Sequence, residues 1–103
     1  MAFIYITEHR EPRLYNGSLF PVVRLPPLAT QKIVNTGGST ASSAFNADTK
    51  IIAVHTDSIC SIEVSATPGA TPTATTSSRR LAANTTEYFE VRGGDKLAVI
   101  LNT

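Results

Sequence analysis

The residues most able to do chemistry sit in one short stretch. His55 and Asp57 are two apart, which on a strand places them on one face, and Ser58 and Ser61 follow closely. A histidine, a carboxylate and a serine are the parts of an acyl-transfer site. Such a site also needs an oriented nucleophile and oxyanion donors, and no glycine-flanked serine motif supplies them here. The spacing therefore predicts a polar strand end in which these side chains satisfy backbone groups at a turn.

A metal site reads no better. Small β-barrels that bind metals carry several histidines and a carboxylate on adjacent strands. This chain has two histidines: His55 and Glu63 stand alone, and His9 sits in a polar cluster with Glu8, Arg10 and Glu11. Its single cysteine, Cys60, can form neither an internal disulfide nor a thiolate cluster. Its alternation with polar neighbours predicts an inward-facing apolar role. The doublets Gly37-Gly38 and Gly93-Gly94 open no helix, match no phosphate loop, and read as turns needing positive φ. The aromatic residues Phe3, Tyr5, Tyr15, Phe20, Phe45, Tyr88 and Phe89 form no stripe that would line a sugar site, and read as packing. No catalytic, cofactor or metal residue is expected, and the chain is expected not to be an enzyme.

The elements that must carry these residues are strands. Phe3 to Thr7 is one, and Leu28 to Asn35 another. Thr40 to Phe45 reads as a strand ending at Asn46-Ala47-Asp48. Lys50 to His55 is nearly continuous in apolar residues, as a buried strand would be. Ile59 to Val64 alternates, with Cys60, Ile62 and Val64 on one face and Ser61 and Glu63 on the other. Thr86 to Arg92 and Lys96 to Asn102 close the chain around a Gly93-Gly94 turn. Amphipathic helical periodicity is missing, and turn signals recur at sandwich spacing. The expected fold is an all-β antiparallel sandwich, jelly-roll-like or Ig-like, with a core of Ile51, Ala53, Cys60, Ile62, Val64, Phe89, Val91, Leu97, Val99 and Leu101. Residues 1–103 form a single domain, with an N-terminal strand and Pro-rich arm at 1–27 and a sandwich body at 28–103.

Two stretches resist that scheme. Pro12, Pro21, Pro26 and Pro27 deny the first regular pairing. Asn16-Gly17 reads as a hairpin tip, and Leu19 to Leu25 as an edge strand or an extended arm. Leu14, Tyr15, Leu19, Phe20, Val22, Val23 and Leu25 give this segment an apolar surface suited to a partner. The second stretch, Ser65 to Arg80, is rich in Thr, Ser, Ala and Pro and reads as a long exposed loop. It ends in Arg79-Arg80, which could meet an acidic patch on a partner.

Composition bounds the function. The 103 residues carry a net charge of +1 and only 17% charged side chains. That balance offers no strong attraction to nucleic acid or anionic membrane, and no apolar run approaches a membrane span. The start lacks the layout of a signal peptide. A thin core and few charges suit life inside an assembly.

The run Ser43 to Asp57, its continuation Cys60-Ser61-Ile62-Glu63-Val64, the Pro-Thr-Ala stretch at Thr71 to Ala74 and the closing run Arg80 to Ile100 resemble small structural proteins of tailed bacteriophages. The resemblance spans about Leu28 to Leu101. It implies a virion structural protein, a capsid decoration or cement protein at the capsid surface, made in the host cytoplasm. Its implied partners are the major capsid protein and further copies of itself, with no cofactor, direct nucleic-acid contact or membrane. A tail or fibre module contacting host glycan or another tail protein is the alternative.

Overall fold

The computed structural model describes residues 2–10, 14–15, 18–19 and 26–102. The described chain is all β, with no helix. Its strands are β1 (Ala2–His9), β2 (Leu14–Tyr15), β3 (Ser18–Leu19), β4 (Ala29–Asn35), β5 (Thr40–Ala41), β6 (Ile51–Thr56), β7 (Cys60–Val64), β8 (Arg79–Leu81), β9 (Thr85–Glu90) and β10 (Leu97–Leu101). Two four-stranded antiparallel sheets form the sandwich, in the orders β4-β1-β6-β9 and β5-β10-β7-β8. From β4 onward the chain crosses between the sheets at nearly every connection. This wrapping is the jelly-roll-like form of the expected sandwich. Among the described residues β2 and β3 pair with each other, through Leu14↔Leu19 and Tyr15↔Ser18. The expected hairpin tip, Asn16-Gly17, lies outside the described residues.

Alternation explains the position of β1. Ala2, Ile4, Ile6 and Glu8 are buried, whereas Phe3, Tyr5 and Thr7 face outward with greater exposure. Its partner β6 turns Ile52, Val54 and Thr56 inward. The opposing sheet contributes Cys60, Ile62, Leu81, Leu97 and Val99, and Phe45 and Val91 close the core. The expected core is corrected at β6. Ile51 lies on the outer face and is partly exposed, while Ile52 and Val54, one position on, are fully buried. Ala53 shares the outer face with Ile51 and is buried there. A continuous apolar run has no alternation to set its phase, and a one-residue slip exchanges the faces.

The expected strand Thr40 to Phe45 is also corrected. Only Thr40–Ala41 pairs regularly with β10. At Ser42 the hydroxyl accepts the Leu97 N–H at 2.9 Å in place of a backbone carbonyl. The ladder ends there, although Ser42 and Phe45 still donate to the carbonyls of Leu97 and Asp95.

Two carboxylates hold the loops. Glu8, read from the sequence as part of a polar cluster with His9, Arg10 and Glu11, is buried. It accepts from the Asn46 backbone N–H at 2.7 Å, the Thr49 hydroxyl at 2.8 Å and Gln31 Nε2 at 3.1 Å. Asp95 accepts from Gly69 N–H at 3.1 Å and Arg92 Nε at 2.8 Å. The stretch 65–78 is mostly exposed but tethered. Ala74 is buried with its N–H on Ser39 Oγ, and Asn102 Nδ2 donates to the Thr76 carbonyl. Small side chains let these neighbours reach its backbone.

The glycine reading is corrected in part. Gly94 has φ +83, but Gly37 and Gly38 do not adopt positive φ and a Cβ there would meet open space. Gly93 is required for another reason: its Cβ would lie 2.1 Å from the Ala47 carbonyl oxygen.

Candidate interaction surface

The strands of the first sheet set out a face in rows. Directly opposed residues on antiparallel strands share a face. One row runs Lys32, Tyr5, His55, Thr86, and the next runs Thr30, Thr7, Ala53, Tyr88. Val34 opposes Phe3 beside them. The exposed large hydrophobic side chains among the described residues are Tyr5, Val34 and Tyr88, at 43%, 45% and 60% exposure. All of them fall on this one outer face. The other sheet exposes none.

The face is organised around Tyr5. Its ring centroid is 6.3 Å from that of His55, at an interplanar angle of 44°. Lys32 Nζ lies 4.6 Å from the Phe3 ring centroid and 5.6 Å from that of Tyr5. A lysine lying over aromatic rings shields apolar surface with its stem while keeping its charge in water. His55 Nδ1 is 2.9 Å from Thr86 Oγ1, which fixes the ring beside Tyr5. The result is a tilted aromatic platform edged with hydroxyls and carrying little charge.

The His-Asp-Ser constellation is not assembled. His55 is bound to Thr86, while the Asp57 carboxylate accepts the Phe3 N–H at 2.8 Å and the Ser58 hydroxyl at 3.1 Å. Ser61 belongs to the other sheet, is buried, and accepts from Asn102 Nδ2 at 2.8 Å. Among the described residues no cluster of His, Cys, Asp and Glu is placed to hold a metal ion, and no helix is long and apolar enough to cross a membrane. His9 is buried and its Nδ1 meets no hydrogen-bond partner among the described residues.

Burial raises the Cys60 thiol above its usual range. A contact with Thr56 Oγ1 at 3.6 Å opposes this, and the nearby Asp57 charge adds to it. For Asp95, burial pushes upward, but the Gly69 amide and the bond and charge of Arg92 outweigh it. The carboxyl is held below its ordinary value.

The sequence-derived contact residues are placed unevenly. Phe20, Val22, Val23 and Leu25 lie outside the described residues, and of Leu14, Tyr15 and Leu19 only the backbone pairing of β2 and β3 is described. Arg79 and Arg80 sit on β8, not at the end of a loop as expected. Arg79 donates to Glu87 at 2.8 Å and stacks over Phe89 at 5.2 Å, so it is engaged within the chain. Arg80 is exposed. The outer face of the first sheet was missed because Tyr5, Val34 and Tyr88 are distant in sequence. The outward phase of Phe3, Tyr5 and Thr7 was its available signal. No family model, curated protein or solved structure matches the chain.

Proposed function

We propose that this protein is a virion structural protein of the capsid decoration or cement type, binding capsomers through the outer face of its first sheet. The observation that carries the reading is the gathering of exposed Tyr5, Val34 and Tyr88 on one weakly charged face. A face that exposes aromatic and aliphatic side chains among polar groups, with little charge, is the kind of surface that a protein partner covers. Lys32, partly stacked on Phe3 and Tyr5, is suited to an acidic group on that partner. The sequence resemblance from about Leu28 to Leu101 supplies the class of partner, a major capsid protein. The two-sheet fold supplies a rigid platform, and repetition around a shell makes a modest contact firm by avidity. The apolar Pro-rich segment read from the sequence is a second contact in this proposal.

A second reading has its own support. Tyr5 and His55 side by side, with Thr7 and Thr86 beside them, combine aromatic faces and hydroxyls as a sugar-binding module does. A cryo-EM map of the intact particle separates the two. Density for this chain on the capsid lattice, with Tyr5 and Val34 against a capsomer, supports the first. Density confined to tail or fibre replaces it with the second.

A further inference from the structure

We propose that two copies of this chain pair edge to edge through β9, antiparallel, about a two-fold axis at Tyr88. Among the described residues β9 is bonded on one side only, to β6, and no strand lies along its other edge. The other sheet edges are less available. β5 and β8 are two and three residues long. The edge at β4 carries Lys32 at its centre, a residue that commonly protects an exposed edge, and the Gln31 side chain holds the Ser43 backbone beside that strand. β9 is six residues long and carries no proline, glycine or lysine. Proline and lysine commonly protect an exposed edge, as do inward-pointing charges; β9 has neither proline nor lysine, and its inward-side charge, Glu87, is paired with Arg79 at 2.8 Å, so β9 is an edge left competent for pairing.

The pairing with β6 fixes which groups are free. Val91 donates to the Lys50 carbonyl at 2.8 Å, and the register runs on through Phe89↔Ile52 and Glu87↔Val54. In an antiparallel ladder the bonded residues alternate. Val91, Phe89 and Glu87 therefore turn their backbone groups toward β6. Thr86, Tyr88 and Glu90 present their N–H and C=O at the open edge. A second β9 must join this same set to itself. The register centred on Tyr88 does so along the whole strand, with Tyr88 bonded to its own copy and Thr86 bonded to Glu90. Glu87 then faces Phe89, and no like charges meet. A shift of the Tyr88 pairing toward the N-terminus sets Glu87 against Glu87. The opposite shift runs off the strand beyond Glu90.

Tyr88 gives an independent reason. It is the most exposed large hydrophobic among the described residues, at 60%, and it stands in the middle of the open edge. Pairing places two tyrosines side by side on the outer face of a continuous eight-stranded sheet, a favourable cross-strand contact. The inference concerns the free protein and does not depend on what the outer face binds.

Sedimentation of the full chain and site-directed crosslinking test this together. Bonded partners in an antiparallel ladder have Cα atoms about 5.5 Å apart, inside the disulfide range of roughly 4.4–6.8 Å. Under mild oxidation Tyr88→Cys should give a covalent dimer. Thr86→Cys alone should not, since four residues along a strand separate it from its copy by about 13 Å. A mixture of Thr86→Cys with Glu90→Cys should crosslink between the two variants. If Tyr88→Cys fails to fold, charge exchange reads the same register: Thr86→Glu should weaken the dimer and Glu90→Lys in that background should restore it. A wild-type chain that sediments as a monomer at every concentration overturns the proposal. So does crosslinking of Thr86→Cys as readily as Tyr88→Cys, or a Glu90→Lys change that restores nothing.

Discussion

The Glu8 carboxylate accepts the backbone N–H of Asn46 at 2.7 Å, so a strand in the middle of one sheet holds the turn that leads into its neighbour. The same oxygen takes the Thr49 hydroxyl, and the second oxygen takes Gln31 on β4. Removing the acceptor leaves buried donors unpaired. Glu8→Ala should therefore lower stability by about 3 kcal/mol, read as a shift in the midpoint of urea unfolding. A change within about 0.5 kcal/mol, as expected of a surface substitution, would mean that the carboxylate is not holding the turn.

Asp95 ties the Gly69 loop to the turn before β10, and its folded pKa lies below the ordinary value. Depression of a folded carboxyl pKa adds stability that is present above the unfolded value of 3.8 and is lost as pH falls through the lower folded value. Asp95→Asn keeps the shape but loses the charge-assisted bonds, and should cost about 2 kcal/mol at neutral pH. The gap between variant and wild type should shrink below the unfolded pKa and continue to close as the native carboxyl protonates. A gap that stays constant from neutral to strongly acidic pH would contradict this assignment.

The two glycine doublets should respond in opposite ways. At Gly93 an added Cβ would approach the Ala47 backbone, with its carbonyl oxygen at 2.1 Å and carbonyl carbon at 2.6 Å, and backbone cannot swing aside as a side-chain tip can. Gly93→Ala should cost about 3 kcal/mol or more, whereas Gly37→Ala and Gly38→Ala should stay within about 0.5 kcal/mol. Thermal melts of the three variants make the comparison.

Cys60 is fully buried, and burial holds its thiol protonated through the neutral range. Labelling by a thiol reagent should be slow in native protein and fast in denaturant. Cys60→Ala should cost on the order of 1 kcal/mol as a small core truncation. Rapid native labelling would show that the thiol is accessible.

The strands were legible wherever polar and apolar residues alternate, as in Cys60 to Val64. There burial follows the expected phase at Cys60 and Ile62, and Ser61 departs from it because Asn102 satisfies its hydroxyl. The phase was not legible in Ile51-Ile52-Ala53-Val54, where every residue is apolar. Glu8 and Asp95 were hidden for a different cause. A carboxylate looks exposed in sequence, and only the fold brings it the donors that permit burial. The outer face follows the same logic. It is made of Tyr5 on β1, Val34 on β4 and Tyr88 on β9, joined only by strand order. The polar strand end expected at His55 and Asp57 was legible: Asp57 accepts the Phe3 backbone N–H, while His55 is held by Thr86 on the neighbouring strand.

In the proposed function this chain strengthens a shell by seating the outer face of its first sheet on capsomers. The most direct test is the temperature at which particles release DNA, measured for particles lacking the protein and for the same particles with wild-type chain or the Tyr5→Ser/Val34→Ser variant added back. Both side chains are exposed, so the variant should fold. Release should come at a higher temperature with wild-type chain than without it, with little or no gain from the variant. Release at one temperature in all three preparations would contradict that role.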